Sequence, residues 1–186
     1  MPPGPSPSPS EPPRTFRRLG NPLDFLEQDH RQAREICDQI DGLVRIGAVD
    51  GPAAQRIIAF LTHIFPPHLV DSDDDLHPLM RRRCPQEDGI ARVLDGLQAD
   101  HGALRQMIPG VIDILGGAGA RTRPAPLSKS GRETLSAFSR QARRVLIVET
   151  GIVLPIARAR LGGGDLGSLR LRMLQRRGLD RVMDTP

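Results

Sequence analysis

Apolar residues recur at alternating spacings of three and four along four stretches of this 186-residue chain. Leu26, Ala33, Cys37, Ile40 and Val44 form one stripe, and Ile57, Leu61 and Ile64 a second. Ile90, Leu94, Leu97, Leu104 and Ile108 form a third, and Leu135, Phe138, Ala142, Val145, Ile152 and Ile156 a fourth. This period places each set on one face of a helix, and no strand pattern competes with it. Each stripe also carries one polar group at an inward position: His30, His68, His101 and Glu149 in turn. Three imidazoles and a carboxylate aimed into one core need a common partner, and a metal ion is the simplest.

Caps and breakers delimit the elements. Asn21-Pro22 reads as an N-cap with a first-turn proline, opening a helix over 22–46 that Gly47 ends. A second helix starts near Pro52, breaks or kinks at Pro66-Pro67, and resumes through His68 to 83. A third covers 86–115 with a disturbance at Pro109. After a Gly/Pro-rich loop, a fourth starts at Ser128 or Ser130 and runs to 161, kinked at Pro155. Four antiparallel helices with one apolar stripe each predict an all-α, up-down-up-down four-helix bundle over 21–161. Residues 1–20, rich in Pro and Ser, read as a disordered arm. GGGD at 162–165 reads as a linker into a basic C-terminal segment, 162–186, which is either a short fifth helix or a tail that orders on a partner.

Composition narrows the partners. The formal charge is +4, with one lysine among 26 basic residues. Arginine favours phosphate and carboxylate, yet the absence of Trp and Tyr argues against nucleic acid, which needs stacking platforms. Arg170, Arg172, Arg176, Arg177 and Arg181 offer a surface for an acidic protein partner. No run has the length of a membrane span, and no signal-peptide pattern opens the chain, so a cytoplasmic protein is expected. Cys37 falls on the first apolar stripe as a small core residue; Cys84 follows three arginines that would favour a reactive thiolate.

The chain contains a weak duplication. Leu26-x-x-Asp29-His30-x-x-x-Arg34 returns 71 residues later as Leu97-x-x-Asp100-His101-x-x-x-Arg105. Residues 68–79 return at an offset of 77, with Leu76-His77-Pro78-Leu79 matching Val153-Leu154-Pro155-Ile156. In that register His68 corresponds to Val145 and Ser72 to Glu149. A helix places i and i+4 on one face, so His and Glu at that spacing can share an ion. Two such hairpins, each with His and His-x-x-x-Glu, would build a di-iron site. Here each half has lost a different ligand.

These segments (PLDFLEQDHRQAREIC, HLVDSDDDLHPLMRRRC, LQADHGALR and RRVLIVETGIVLPIARARL) resemble the hemerythrin-like HHE cation-binding family over 21–161. The resemblance implies an up-down four-helix bundle that binds non-haem di-iron and carries, stores or senses oxygen, or handles nitric oxide or peroxide. Position by position it makes His30, His68, His101 and Glu149 metal ligands. Ser72 stands where it expects a bridging carboxylate, and Val145 where it expects a histidine.

What survives is a half-site of His30, His68 and Glu149, a ligand set known for a single Fe(II) with open positions; the other half-site keeps His101. Asp71, at i+3 from His68, is about 60° off its direction and is the expected substitute carboxylate. Asp73, His63 and His77 lie about 140°, 140° and 180° away, so the histidines read as surface or packing residues. Asp71 and Asp73-Asp74-Asp75 otherwise read as a solvated helix face, and Ser72 as bonding back to the carbonyl of His68. Two readings stay open. One is an iron protein, holding one or two ions, that binds O2 or NO or handles iron without turnover. The other is a metal-free bundle, its polar core running His30–Glu149–His101, that serves as an interaction module. A third, a mononuclear iron enzyme using O2 or peroxide, has less behind it, because no pattern specifies an organic substrate pocket.

Overall fold

A computed structural model of the chain describes residues 20–119 and 124–179. The proline-rich arm and Arg181 lie outside them. The described part is all-α. Helix α1 spans Pro22–Ile46, α2 Gly51–His63, α3 Phe65–Val70, α4 His77–Arg83, α5 Ile90–Gly119, α6 Lys129–Val148, α7 Leu154–Arg160 and α8 Gly163–Arg176. Side-chain caps open several of them: Asn21 accepts from Leu23 N at 2.9 Å, Asp50 from Ala53 N at 3.2 Å, and Ser128 from Gly131 N at 3.0 Å. Gly47 ends α1 at φ 75°, a left-handed conformation that costs glycine least.

Helix α1 packs on α2 and α6, and α5 packs on the same two, so four helical layers enclose one core. Leu23, Leu26, Ile40, Ile57, Leu61, Leu94, Leu97, Leu104, Leu135 and Phe138 fill it. Helix α5 runs without a break through Pro109, which is exposed, and Val111 and Leu115 remain buried. The second helix does kink near Pro66-Pro67, at Ile64 between α2 and α3. One feature falls outside the helical pattern. Ala48–Val49 pairs antiparallel with Ala125–Pro126, tying the turn after α1 to the loop before α6.

Two π-helical turns, Asp71–Leu76 and Glu149–Val153, interrupt the helices. In each, the next amide bonds five residues back: His77 N to Ser72 O, and Leu154 N to Glu149 O. A proline follows each of those amides, Pro78 and Pro155. Lacking an N–H, it cannot take the ordinary bond four residues back, and the wider turn accommodates it. The duplicated Leu-His-Pro-Leu and Val-Leu-Pro-Ile therefore repeat a π turn. An inserted residue also rotates everything beyond it by about 100°. Ile152, expected inside, is accordingly 41% exposed, while Val153 is fully buried.

Within the described residues of the basic C-terminal segment, Gly163–Arg176 is helix α8, held by Leu169, Met173 and Leu174. GGGD is no linker. Gly163, Gly164 and Asp165 form the first turn of α8, with Asp165 accepting from Gly162 N at 3.2 Å and from Arg83 at 2.9 Å. The acidic partner of this helix lies within the chain. Arg176 and Arg177 both bond Asp71, the latter at 2.6 Å; Arg176 and Arg172 bond Asp75 at 2.8 and 3.2 Å. Arg177 also stacks its guanidinium over Phe25 at 5.0 Å. The expected solvated acidic face is thus mostly buried: Asp71, Asp73 and Asp75 are inside, and Asp74 is exposed.

Burial raises the Asp71 carboxyl above its ordinary range even with both arginines beside it. Removing one of them should be expensive. Arg177→Met is expected to destabilise the chain by about 3 kcal/mol in urea unfolding, the lower end for a broken buried pair because Arg176 remains. Adding Asp71→Asn should recover most of that loss; an equal or greater loss in the double variant would show that the arginine acts through packing alone.

Candidate metal centre

His30 of α1, His68 of α3, His101 of α5 and Glu149 at the start of the second π turn meet in the core, each at most 2% exposed. All three Nε2 atoms face the one carboxylate. His30 Nε2 lies 3.0 Å and His68 Nε2 3.7 Å from Glu149 Oε2, and His101 Nε2 lies 3.6 Å from Oε1. Ligand atoms of His30, His68 and Glu149 fall within 4.8 Å of one another, the spread of a cation's donor set. Among the described residues they are the group that does so.

The opposite nitrogen of each ring faces an oxygen. His30 Nδ1 is 3.2 Å from Thr150 Oγ1, His68 Nδ1 3.4 Å from Asp29 Oδ2, and His101 Nδ1 2.8 Å from Asp73 Oδ1. The carboxylates of Asp29 and Asp73 favour a proton on Nδ1 of His68 and His101, and all three rings turn Nε2 inward, the orientation of metal-ligating histidines. Arginines fix the outer oxygens: Arg34 donates to Thr150 Oγ1 at 2.6 Å, and Arg105 to Asp73 Oδ2 at 2.7 Å. His30 Nε2, His101 Nε2 and Glu149 Oε2 are buried without a hydrogen-bond partner. Ring nitrogens converging on a carboxylate out of water are a donor set that fits a divalent cation.

The duplication extends to these supports. Arg34–Thr150–His30 and Arg105–Asp73–His101 are related by the same offsets of 71 and 77 as the ligands. By the same symmetry the mates of His30, His68 and Glu149 are His101, Val145 and Ser72. Both lost ligands therefore belong to one half-site. Asp100, the mate of Asp29, has no ring at Val145 to hold and pairs with Arg144 at 2.7 Å.

The residues 21–161 that build this arrangement match the hemerythrin HHE cation-binding domain. The chain belongs to that family. No curated protein sequence matches it significantly.

Several expectations need correction within this hemerythrin-like core. Asp71 does not approach Glu149; its carboxylate is taken by Arg176 and Arg177. Ser72 Oγ donates to Glu149 Oε1 at 3.0 Å instead of bonding back along its helix. Asp73, placed about 140° away by an ideal helix, is the buried partner of His101. The π turn brings His77 from about 180° to about 80° from His68, and its ring is 3% exposed and stacked on His101 at 5.9 Å. His63 is exposed, as expected, and lines a cleft of about 510 Å³ over Asp29, with Phe25, Pro67 and Arg177. Sequence reasoning passed over Thr150 and left Asp29 and Asp100 between orienting a neighbouring side chain and facing water; the Asp-His and Glu-Thr pairs adjoining the ligands were the available signal.

Protons already balance this site in part. Burial alone would lower His68, but Asp29 and Glu149 outweigh it and hold the imidazole up at about 10. Burial alone would raise Glu149, but its contacts with His30 and His68 keep the carboxyl well below the usual carboxylate range. Burial pushes His77 down to about 4 against the pull of Glu149 and Asp73. A raised histidine stabilises the fold fully below its unfolded value and loses that contribution as pH climbs through its folded one. The metal-free protein should thus lose thermal stability between pH 6.5 and 10. His68→Gln, compared at each pH, should flatten that alkaline decline; a parallel decline in the variant would assign it elsewhere.

Proposed function

We propose that this chain is a hemerythrin-like non-haem iron protein, an up-down four-helix bundle, whose intact half-site of His30, His68 and Glu149 holds a single ion. What supports the reading is the convergence of two imidazole Nε2 atoms and one carboxylate within 4.8 Å, buried and backed by Asp29 and Thr150. Two histidines and a carboxylate leave an Fe(II) with open positions at which a diatomic such as O2 or NO, or peroxide, can bind. Asp29 and Thr150 orient the rings, and Phe65, stacked 6.1 Å from His68, supplies an apolar wall. The cleft beside Asp29 gives a small solute a route toward His68 from the solvent side. The role is binding or sensing, with no turnover of an organic substrate.

A second reading has its own support. Ser72 donates to Glu149 and a protonated His68 faces the same carboxylate, so the core also balances without metal. In that case the bundle is a metal-free interaction module.

Metal content separates them. Purified after growth with iron, the chain should carry metal that His68→Ala abolishes; a metal-free wild-type protein that also fails to take up Fe(II) anaerobically would favour the module. Because His68 holds its proton to about 10, uptake at pH 7 should release about one proton, read from calorimetry in buffers of different ionisation enthalpy. Asp29→Ala should weaken binding by about 10- to 100-fold without abolishing it. An unchanged affinity would remove Asp29 from the site.

A further inference from the structure

We infer that two copies of this chain associate through the outer face of α6 and the second π turn, about a two-fold axis near Gly151. The two halves of the repeat differ here. Helix α8 packs on α1 and on the first π turn, where its arginines bond Asp71 and Asp75, 0% and 3% exposed. The mates of those acids, at the offset of 77, are Val148 and Ile152. Val148 is half-buried and Ile152 is 41% exposed. Ile156 and Val93, the mates of buried Leu79 and Pro22, are also half-exposed. Among the described residues no second helix lies where symmetry would put one, between α5 and the second π turn. With Val and Ile in place of two acids, this open seat suits an aliphatic helical face and rejects a basic one.

The chain itself carries such a face. Ile147, beside the seat, is 70% exposed, and it and Ile152 are two of the four large apolar side chains left exposed among the described residues. On the α5 side, exposed Gly96, Ala99 and Ala103 leave room for a branched side chain. A Cβ at Gly96 or Gly151 would meet nothing within 4 Å, so a second helix can approach closely at both. Charge sets the direction. Arg160 bonds Asp88 at 3.0 Å, which places Asp88 and exposed Glu87 at the α7 end of the face. Exposed Arg140 lies as far before residue 150 as Arg160 lies after it. An antiparallel two-fold near Gly151 brings Arg140 of each copy to the partner's Glu87 and Asp88, whereas a parallel one sets Arg140 against Arg140. From Arg140 to Arg160 the face is about 30 Å long and two helices wide, roughly 600 Å². That is somewhat under the ~800 Å² per partner of a standard interface, so the association is reversible.

Sedimentation equilibrium of the full chain over a range of concentrations tests the interface. Monomer should pass to dimer as concentration rises. Ile147→Asp should raise the dissociation constant by about 10-fold or more, with helical circular dichroism and thermal midpoint unchanged. Leu171→Asp, on the exposed side of α8, should leave the dimer as it is. A chain that stays monomeric at the highest concentration, or a dimer as tight in Ile147→Asp as in the wild type, overturns the interface. Arg140→Glu should weaken the dimer, and adding Glu87→Arg should restore it. That recovery requires the antiparallel arrangement, and a dimer that the second change weakens further refutes it.

Discussion

Glu149 is a carboxylate in the middle of an aliphatic core, and the rest of the arrangement follows from the need to neutralise it. An unpaired charge there would cost several kcal/mol, a large share of what a domain of this size has to spare. Every helix that lines the centre answers it. Helix α1 contributes His30, α3 contributes His68, the following π turn contributes the Ser72 hydroxyl, and α5 contributes His101. Those rings must in turn be oriented, which brings Asp29, Asp73 and Thr150 inward, and these draw Arg34 and Arg105 after them. One buried charge thus organises polar groups across the width of the core.

Helix starts, the first stripe, the third stripe and the four central residues were legible in the sequence because they depend on local spacing and capping. Asn21, Gly47 and Ser128 act where chain chemistry says they should. Part of what was not legible traces to two π turns. A count of 100° per residue is sound until a residue is inserted, and beyond residues 71 and 149 every direction it gives is off by about one position. His77, Asp73 and Ile152 were all misplaced by that one cause. The prolines at 78 and 155 marked the places, but a proline in a helix is answered by a kink, an exposed carbonyl or a wider turn. Pro109 lies exposed in an α5 that stays α-helical throughout, with no π turn.

The acidic run was misread for a different reason. Asp71 and Asp75 look like solvent residues until α8 arrives from a hundred residues away with Arg172, Arg176 and Arg177. Local composition cannot report a distant partner. Both charge sets would read as surface, and each makes sense only against the other. The consequence reaches the centre, because Asp71 is bound from outside while Ser72 and Asp73, its neighbours on the π turn, face inward. Helix α8 therefore fixes the rotation of the segment that carries Ser72, Asp73 and His77.

Protons and cations compete for the same place in this core. His68 is held to about 10 by Asp29 and Glu149, the two carboxylates that would favour a cation in its stead. Each added proton relieves the convergence of lone pairs on Glu149, and each ion would relieve it more completely while displacing a proton. The duplication makes the two halves unequal in this contest. The half with His30 and His68 keeps two rings on Glu149 Oε2, at 3.0 and 3.7 Å. The half with Val145 and Ser72 has methyl groups in place of a ring and a hydroxyl in place of a carboxylate, and keeps only His101, 3.6 Å from Glu149 Oε1.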